Sequence, residues 1–143
     1  MQQRFSDGDA QAWYDRVAQL KPSAGMQVGY AVHSVRAVPK ADLATVRQAA
    51  HDRGPETPLH VHLSEQRAEN DACLARHHRT PTQLLADHGA LGPRTTAVHA
   101  THLSQMDIDL LGTSGTSVCM CPTTERDLAD GDRNSVVQGK RGD

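Results

Sequence analysis

The stretch that decides the fold spans residues 60–65 and reads His60-Val61-His62-Leu63-Ser64-Glu65. Because successive side chains of a strand point to opposite faces, His60 and His62 share one face and Val61 and Leu63 share the apolar one. Glu65 follows the expected strand end, so its carboxylate can lean back over whatever His62 binds. A metal ion there would lower the pKa of a water molecule, and the carboxylate would carry the proton onward. The alternative is that both histidines are ordinary polar residues of a half-exposed strand.

Strand and helix patterns alternate on both sides of this stretch. The periodicity predicts helices over residues 9–20, 40–53, 65–77, 80–89 and 104–112, and strands over 27–33, 58–63, 95–99 and 115–121. Thr80 and Ser104 are expected to cap their helices, with Gln83 completing a capping box. In the helix over 65–77, the spacing of Ala68, Ala72 and Ala75 predicts an inward-packing face. Strands that alternate with helices indicate βαβ units on a parallel sheet.

Polar residues recur at the carboxyl ends of these strands. His33, His62, His99 and Thr123 all lie at or just past a strand end, which is where a β/α barrel builds its active site. A doubly wound open sheet also binds ligands there, but no glycine-rich phosphate loop follows any strand. A complete barrel needs about 250 residues, so four strands supply about half of one. We therefore predict an α/β fold: a partial (β/α)8 barrel with about four parallel strands and flanking helices.

Composition excludes several classes of partner. The formal net charge is −2 with both signs interspersed, which gives no footprint for nucleic acid or an anionic membrane. No apolar run approaches the roughly 20 residues of a membrane span, and the first residues lack the apolar core of a signal peptide, so we expect a cytoplasmic protein. Three cysteines do not suggest a disulfide framework. We expect Cys119 and Cys121 to be small buried hydrophobes.

Four short motifs in order carry a resemblance to a known family. They are His33-Ser34-Val35-Arg36-Ala37-Val38, His60-Val61-His62-Leu63-Ser64-Glu65-Gln66, Val98-His99-Ala100-Thr101-His102-Leu103 and Cys121-Pro122-Thr123-Thr124-Glu125. Together they resemble the zinc-dependent deaminases of the amidohydrolase superfamily, and more specifically the formimidoylglutamate deiminases. The resemblance covers roughly residues 3–131, and it places the chain on the fourth to seventh strands of the family's barrel.

The resemblance implies a role for each matched residue. His62 would be a zinc ligand, and Glu65 would be the general acid and base. His99 would hydrogen-bond the attacking water or the tetrahedral centre. His33 and Arg36 would face the substrate, with the planar guanidinium of Arg36 suited to clasping a carboxylate. The implied reaction is the hydrolysis of N-formimidoyl-L-glutamate to N-formyl-L-glutamate and ammonia, a step of histidine degradation.

The chain also departs from the family pattern. The family's first-strand pair of zinc-binding histidines would lie upstream of Met1, and the chain ends before the eighth-strand aspartate. We therefore expect an incomplete and inactive fragment with an incomplete ligand set for the one Zn²⁺ of each complete site. Residues 1–131 would be part of a metal-dependent barrel, and residues 132–143 an unrelated, disordered polar tail. For the parent protein we expect a small-molecule substrate and a homo-oligomer.

Two other functions remain open from the residues. A related amidohydrolase could deaminate a guanine, cytosine or triazine ring, and Arg36 argues against this because flat rings carry no glutamate-like carboxylate to clasp. The second alternative is a non-catalytic α/β module. Thr123, Thr124 and Glu125 either line the pocket or cap the following turn, and His102 is expected to hydrogen-bond its own loop.

Overall fold

The structure is a computed structural model of the chain and describes residues 7–127. The helices in this range are α1 (Ala10–Ala18), α2 (Lys40–Arg53), α3 (Arg67–His77), α4 (Pro81–Asp87), α5 (Gln105–Ser114) and α6 (Pro122–Asp127). The strands are β1 (Tyr30–Val32), β2 (Leu59–Leu63), β3 (Thr95–His99) and β4 (Ser117–Cys119). At least one helix of more than one turn lies between each pair of successive strands, as the alternating pattern predicts.

The four strands form one parallel sheet in the order β1-β2-β3-β4. In the register, Leu59 lies between Tyr30 and Thr95, and Val98 lies between His62 and Cys119. Strands that follow each other in sequence and in space, all parallel, are the repeating unit of a β/α barrel. The predicted α/β fold with four parallel strands is confirmed.

Only one face of the sheet is covered by the helices of residues 7–127. In β2, Leu59, Val61 and Leu63 are buried, whereas His60 is exposed and His62 is half-buried. The buried strand residues join those of the helices in one core, whose members include Val32, Leu43, Leu84, Leu85, Ala97 and Leu111. A doubly wound sheet has helices on both faces, so this one-sided packing favours the barrel.

Local capping explains where two helices begin. The Thr80 side chain accepts a hydrogen bond from the Gln83 backbone N–H at 3.1 Å, while the Gln83 side chain accepts one from the Thr80 N–H. Ser104 and Asp107 form the equivalent box at the start of α5. These boxes satisfy backbone N–H groups that have no partner within the helix. The predicted caps at Thr80 and Ser104 are confirmed.

Three sequence-based expectations are corrected by the structure. Residues 122–127 form the short helix α6, which is not among the helices that the periodicity predicts; proline suits its first position, and the Glu125 carboxylate accepts a hydrogen bond from the Cys121 N–H. Cys119 is exposed and Cys121 only half-buried; Cys119 ends β4, which lies at the edge of the described sheet and has exposed positions throughout. In α3, Glu69 and Cys73 face inward, and the alanines of the predicted stripe are exposed.

None of the helices within residues 7–127 combines the length and apolar character that a membrane crossing requires. Two predictions lie outside the described residues: the polar tail over residues 132–143 and the end of the domain at residue 131.

Candidate active site at the strand ends

The carboxyl ends of β1, β2 and β3 bring the predicted site residues together. The His62 ring lies 5.2 Å from the His33 ring and 5.6 Å from the His99 ring, measured between centroids. Glu65 reaches His99 from the turn after β2, and Arg36 reaches Glu65 from the loop after β1. Residues separated by up to 66 positions thus form one cluster because parallel strands end at the same edge of the sheet.

The orientation of His62 is set by the main chain of the neighbouring strand end. The carbonyl oxygen of His33 lies 3.0 Å from the backbone nitrogen of His62 and 2.7 Å from its Nδ1. A carbonyl only accepts hydrogen bonds, so Nδ1 carries the proton and Nε2 keeps a lone pair. Metal-binding histidines commonly donate their other ring nitrogen to such an acceptor. His62 therefore fits the role of a zinc ligand through Nε2.

His99 reaches the cluster through an unusual backbone. In the strand register it is paired with Leu63 and follows the buried positions Thr95 and Ala97. Alternation alone would point its side chain toward the helices. However, His99 has a φ of 72° and Ala100 a φ of 53°, left-handed values that residues other than glycine adopt at a cost in free energy. This bend at the end of β3 is accompanied by stacking of the His99 ring on His62 at an interplanar angle of 26°.

His99 lies between two carboxylates. Its Nε2 is 3.5 Å from Oε1 of Glu65, and its Nδ1 is 3.3 Å from Oε1 of Glu125. The three side chains are 6%, 16% and 5% exposed, respectively. Little water reaches these contacts, so the electrostatic interactions are screened less than on the surface. The arrangement can hold a proton on either ring nitrogen and pass it between His99 and a carboxylate.

The position of Glu65 is also held by a hydrogen bond of its backbone. It follows Ser64, which has a φ of 48°, and its N–H donates to Oε2 of Glu69 at 3.2 Å. Glu69 is 1% exposed. Burial raises the pKa of Glu69 above its usual range, and the nearby charge of Arg36 opposes that shift only in part. Arg36 also places Nη2 3.6 Å from Oε2 of Glu65, so both carboxyl groups share one cation.

Main-chain hydrogen bonds join the loops after β2 and β3. The N–H of Ala100 donates to the Leu63 carbonyl at 2.9 Å, and the N–H of His102 donates to the Ser64 carbonyl at 3.0 Å. The Asn70 side chain donates to the His102 carbonyl at 2.6 Å. His102 thus makes its hydrogen bonds through its backbone, and their partners lie in the loop after β2 and in α3 rather than in its own loop as expected. These bonds hold Glu65 and His99 at a fixed separation.

A cavity of about 600 Å³ lies beside the cluster, between the loop after β1 and α3. Arg36, Glu69 and Cys73 line it, whereas His62, Glu65 and His99 do not. The candidate metal ligand His62 and the candidate proton carrier Glu65 lie at the strand ends rather than in this cavity.

Sequence reasoning missed two residues of this cluster. The sequence does contain a signal for Glu69, because this residue lies one helical turn after Glu65 and can therefore approach it. From the sequence, Glu125 is expected either to line the pocket or to cap the following turn. In the structure it contacts His99 and also accepts a hydrogen bond from the Cys121 N–H.

Comparison with known proteins agrees with this geometry. A profile of the amidohydrolase family matches residues 5–135. Formimidoylglutamate deiminase of Pseudomonas aeruginosa is 36% identical over 133 residues, which is 91% of this chain and 28% of that protein. 5-Methylthioadenosine/S-adenosylhomocysteine deaminase of Nitratidesulfovibrio vulgaris is 35% identical over 111 residues, 78% of this chain and 25% of that protein.

A solved structure shows the same fold. A zinc-bound adenosine deaminase from Xanthomonas campestris superimposes with a TM-score of 0.78 at 27% identity, covering 85% of this chain and 28% of that one. The chain thus spans about a quarter of the length of these relatives. The profile match over nearly all of the sequence, with the predicted motifs gathered at the strand ends, establishes that the chain belongs to the amidohydrolase family.

Proposed function

We propose that this segment belongs to a zinc-dependent hydrolase that converts N-formimidoyl-L-glutamate and water to N-formyl-L-glutamate and ammonia. The observation that carries the proposal is the position of Glu65, which lies 3.5 Å from Nε2 of His99 and 3.6 Å from Arg36. In the proposal, Glu65 is the proton carrier, and it thus lies beside the hydrogen-bond donor His99 and the carboxylate-binding group Arg36. The 36% identity to a formimidoylglutamate deiminase supports this substrate.

The reaction replaces a carbon–nitrogen bond by a carbon–oxygen bond. The oxygen of water adds to the formimidoyl carbon, and the π electrons of the C=N bond move to the terminal nitrogen, which takes up a proton. The bond from carbon to that nitrogen then breaks, ammonia leaves, and the oxygen becomes the formyl carbonyl. Two proton transfers are therefore needed at neighbouring atoms, which suits one mobile carboxylate.

His62 would hold the zinc ion through Nε2, as one of its ligands. When bound, zinc lowers the pKa of a water molecule and so supplies a nucleophile near neutral pH. Glu65 takes the proton from the attacking water and delivers it to the departing nitrogen. His99 donates from Nε2 to the oxygen that gains charge, and Glu125 at Nδ1 stabilises the charged imidazole that this donation favours.

Arg36 and His33 provide the substrate contacts of the proposal. The Arg36 side chain is partly exposed beside the cluster, and its planar set of N–H donors matches a carboxylate. His33 is exposed at the end of β1, next to the His62 ring. Because these two groups would contact the substrate, we propose a free small molecule as substrate. We further propose histidine degradation as the process and the cytoplasm as the compartment.

A ring-deaminating activity is the competing function, since a relative that acts on 5-methylthioadenosine and S-adenosylhomocysteine, according to its name, is 35% identical. 5-Methylthioadenosine carries no carboxylate for Arg36 to bind, whereas S-adenosylhomocysteine carries one and N-formimidoyl-L-glutamate carries two, so both adenosine derivatives belong in the test.

The test is a chimera in which residues 7–127 replace the aligned part of Pseudomonas aeruginosa formimidoylglutamate deiminase. We expect ammonia release from N-formimidoyl-L-glutamate, loss of that activity in His62→Ala, and no release from adenosine derivatives. As a matched control, His60→Ala alters the exposed histidine of the same strand and should keep most of the activity. A correctly folded chimera that deaminates adenosine derivatives but not N-formimidoyl-L-glutamate would refute the proposed substrate.

A further inference from the structure

Three side chains of different chemistry converge where β3 ends and α6 begins. They belong to His99, Cys121 and Glu125, and one potential ligand atom from each lies within 4.8 Å of the other two. His99 and Glu125 are buried, and Cys121 is half-buried. We propose that these three residues form a second divalent-metal site, distinct from the one that His62 would provide, and that its preferred ion is Zn²⁺. This inference goes beyond the proposed function and does not depend on it.

The ligand chemistry selects the ion. An imidazole, a thiolate and a carboxylate together match the nitrogen, sulfur and oxygen donors that zinc accepts, and three protein ligands leave a fourth tetrahedral position open. Mg²⁺ and Ca²⁺ prefer sets made of oxygen ligands, so the thiolate disfavours them. Thiolate ligation also requires that metal binding release the proton of Cys121.

The two ring nitrogens of His99 separate this site from the proposed catalytic one. Nδ1 lies 3.3 Å from Oε1 of Glu125, whereas Nε2 lies 3.5 Å from Oε1 of Glu65. A metal ion shared with Glu125 would therefore bind Nδ1. Because a neutral imidazole carries one proton, Nδ1 ligation leaves that proton on Nε2, directed at Glu65. The second metal would take the place of the Nδ1 proton that Glu125 otherwise holds, and His99 would then donate from Nε2 as a neutral ring.

A simpler account of the same contacts needs no metal. Oε1 of Glu125 accepts a hydrogen bond from the Cys121 N–H at 3.2 Å and faces His99, so the carboxylate could serve only to cap α6 and orient the ring. The two accounts differ at one atom, the sulfur of Cys121. A helix cap does not involve that sulfur, whereas the metal site requires it as a thiolate ligand.

The experiment titrates the purified 143-residue chain with Co²⁺, which replaces Zn²⁺ and shows a near-ultraviolet charge-transfer band only when a thiolate binds it. We expect one equivalent of Co²⁺ to produce this band and Zn²⁺ to remove it. Cys121→Ser should abolish the band. Glu125→Gln should weaken Co²⁺ binding by more than about a hundredfold, since loss of an outer hydrogen-bond partner alone costs about 10–100-fold.

Two matched controls distinguish the sites. Cys119→Ser removes the exposed thiol two residues away, and His62→Ala removes the proposed catalytic ligand; both should keep the band. No band in the unmodified chain, or a band that persists in Cys121→Ser, would overturn the proposal. A band lost in His62→Ala would also overturn it, while leaving the proposed function intact because His62 would then bind metal.

A second measurement uses the unmodified chain and so does not depend on how a variant folds. Alkylation of each cysteine is followed by mass spectrometry with and without Zn²⁺. Zinc should slow the alkylation of Cys121 at least tenfold and leave that of Cys119 unchanged. Equal rates at Cys121 with and without zinc would contradict thiolate ligation.

Discussion

The backbone N–H of Glu65 donates a hydrogen bond to Oε2 of Glu69 across 3.2 Å. The proposed proton carrier is therefore anchored to a second carboxyl group that is almost fully buried. Because burial raises the pKa of Glu69, this anchor is also a titrating group. Its charge state links the stability of the fold to pH beside the candidate site.

The first prediction concerns that linkage. In the unfolded chain, Glu69 should titrate near its ordinary pKa of 4.5. As the pH rises from there, the unfolded state loses its proton before the native state does, so the free energy of unfolding should fall until the raised native pKa is passed. Glu69→Gln keeps an acceptor for the Glu65 N–H and removes the titration. Urea unfolding between pH 4 and pH 8 should show a smaller decline in this variant.

The exposed Glu56 offers the control for that measurement. Glu56→Gln should leave the pH dependence of unfolding as in the unmodified chain. An undiminished decline in Glu69→Gln would mean that other groups cause it.

The second prediction separates proton transfer from metal binding. In the chimera, Glu65→Gln should retain zinc and lose turnover by about a hundredfold to ten-thousandfold, the range typical of general acid and base groups. Metal content and kcat are measured on the same sample. A glutamine variant that has lost its zinc would make Glu65 a ligand rather than a proton carrier.

The third prediction concerns substrate recognition by Arg36. Arg36→Met in the chimera should weaken binding of N-formimidoyl-L-glutamate by about 1.5–3 kcal/mol, the range for hydrogen bonds to a charged group, because the Arg36 side chain is 41% exposed and water screens part of the interaction. Binding of a formimidoyl analogue without the side-chain carboxylate should change much less. Arg94→Met removes an exposed arginine that pairs with Glu56 at 3.5 Å and should affect neither ligand. Equal losses for both ligands would assign Arg36 a structural role.

The fourth prediction tests the junction of α4 and α5. The buried Asp107 carboxylate accepts hydrogen bonds from the Thr80 hydroxyl and from the backbone and side chain of Ser104. Asp107→Ala should lower the free energy of unfolding by about 1–3 kcal/mol, because it leaves these donors without their acceptor. The exposed Asp109 lies on the same helix, and Asp109→Ala should stay within about 0.5 kcal/mol of the unmodified chain. Comparable losses in both variants would rule out a special role for the buried carboxylate.

The parts of the structure that depend on local patterns were predictable. The caps at Thr80 and Ser104 follow from residues three positions apart, and β2 follows from its alternation. Parallel order then brings the strand ends to one edge of the sheet, so His62, Glu65 and His99 could be expected near each other.

The side-chain directions were less predictable. The approach of His99 to His62 accompanies left-handed backbone angles at His99 and Ala100. Neither residue is a glycine, so the sequence does not indicate these angles. The contact between His99 and Glu125 joins residues 26 positions apart, so no local spacing reveals it. The apolar pattern over residues 115–121 predicts burial of Cys119 and Cys121, but Cys119 lies in the edge strand β4, whose positions are all exposed, and Cys121 follows that strand and is half-buried.

The hydrogen bond that orients His62 has a consequence for how the site can change during evolution. Its acceptor is the main-chain carbonyl of His33, which every amino acid at position 33 would supply. The side chain at that position can therefore diversify to suit new substrates while the ring beside it keeps its direction. Selection for substrate preference and selection for metal affinity can act on one residue without opposing each other.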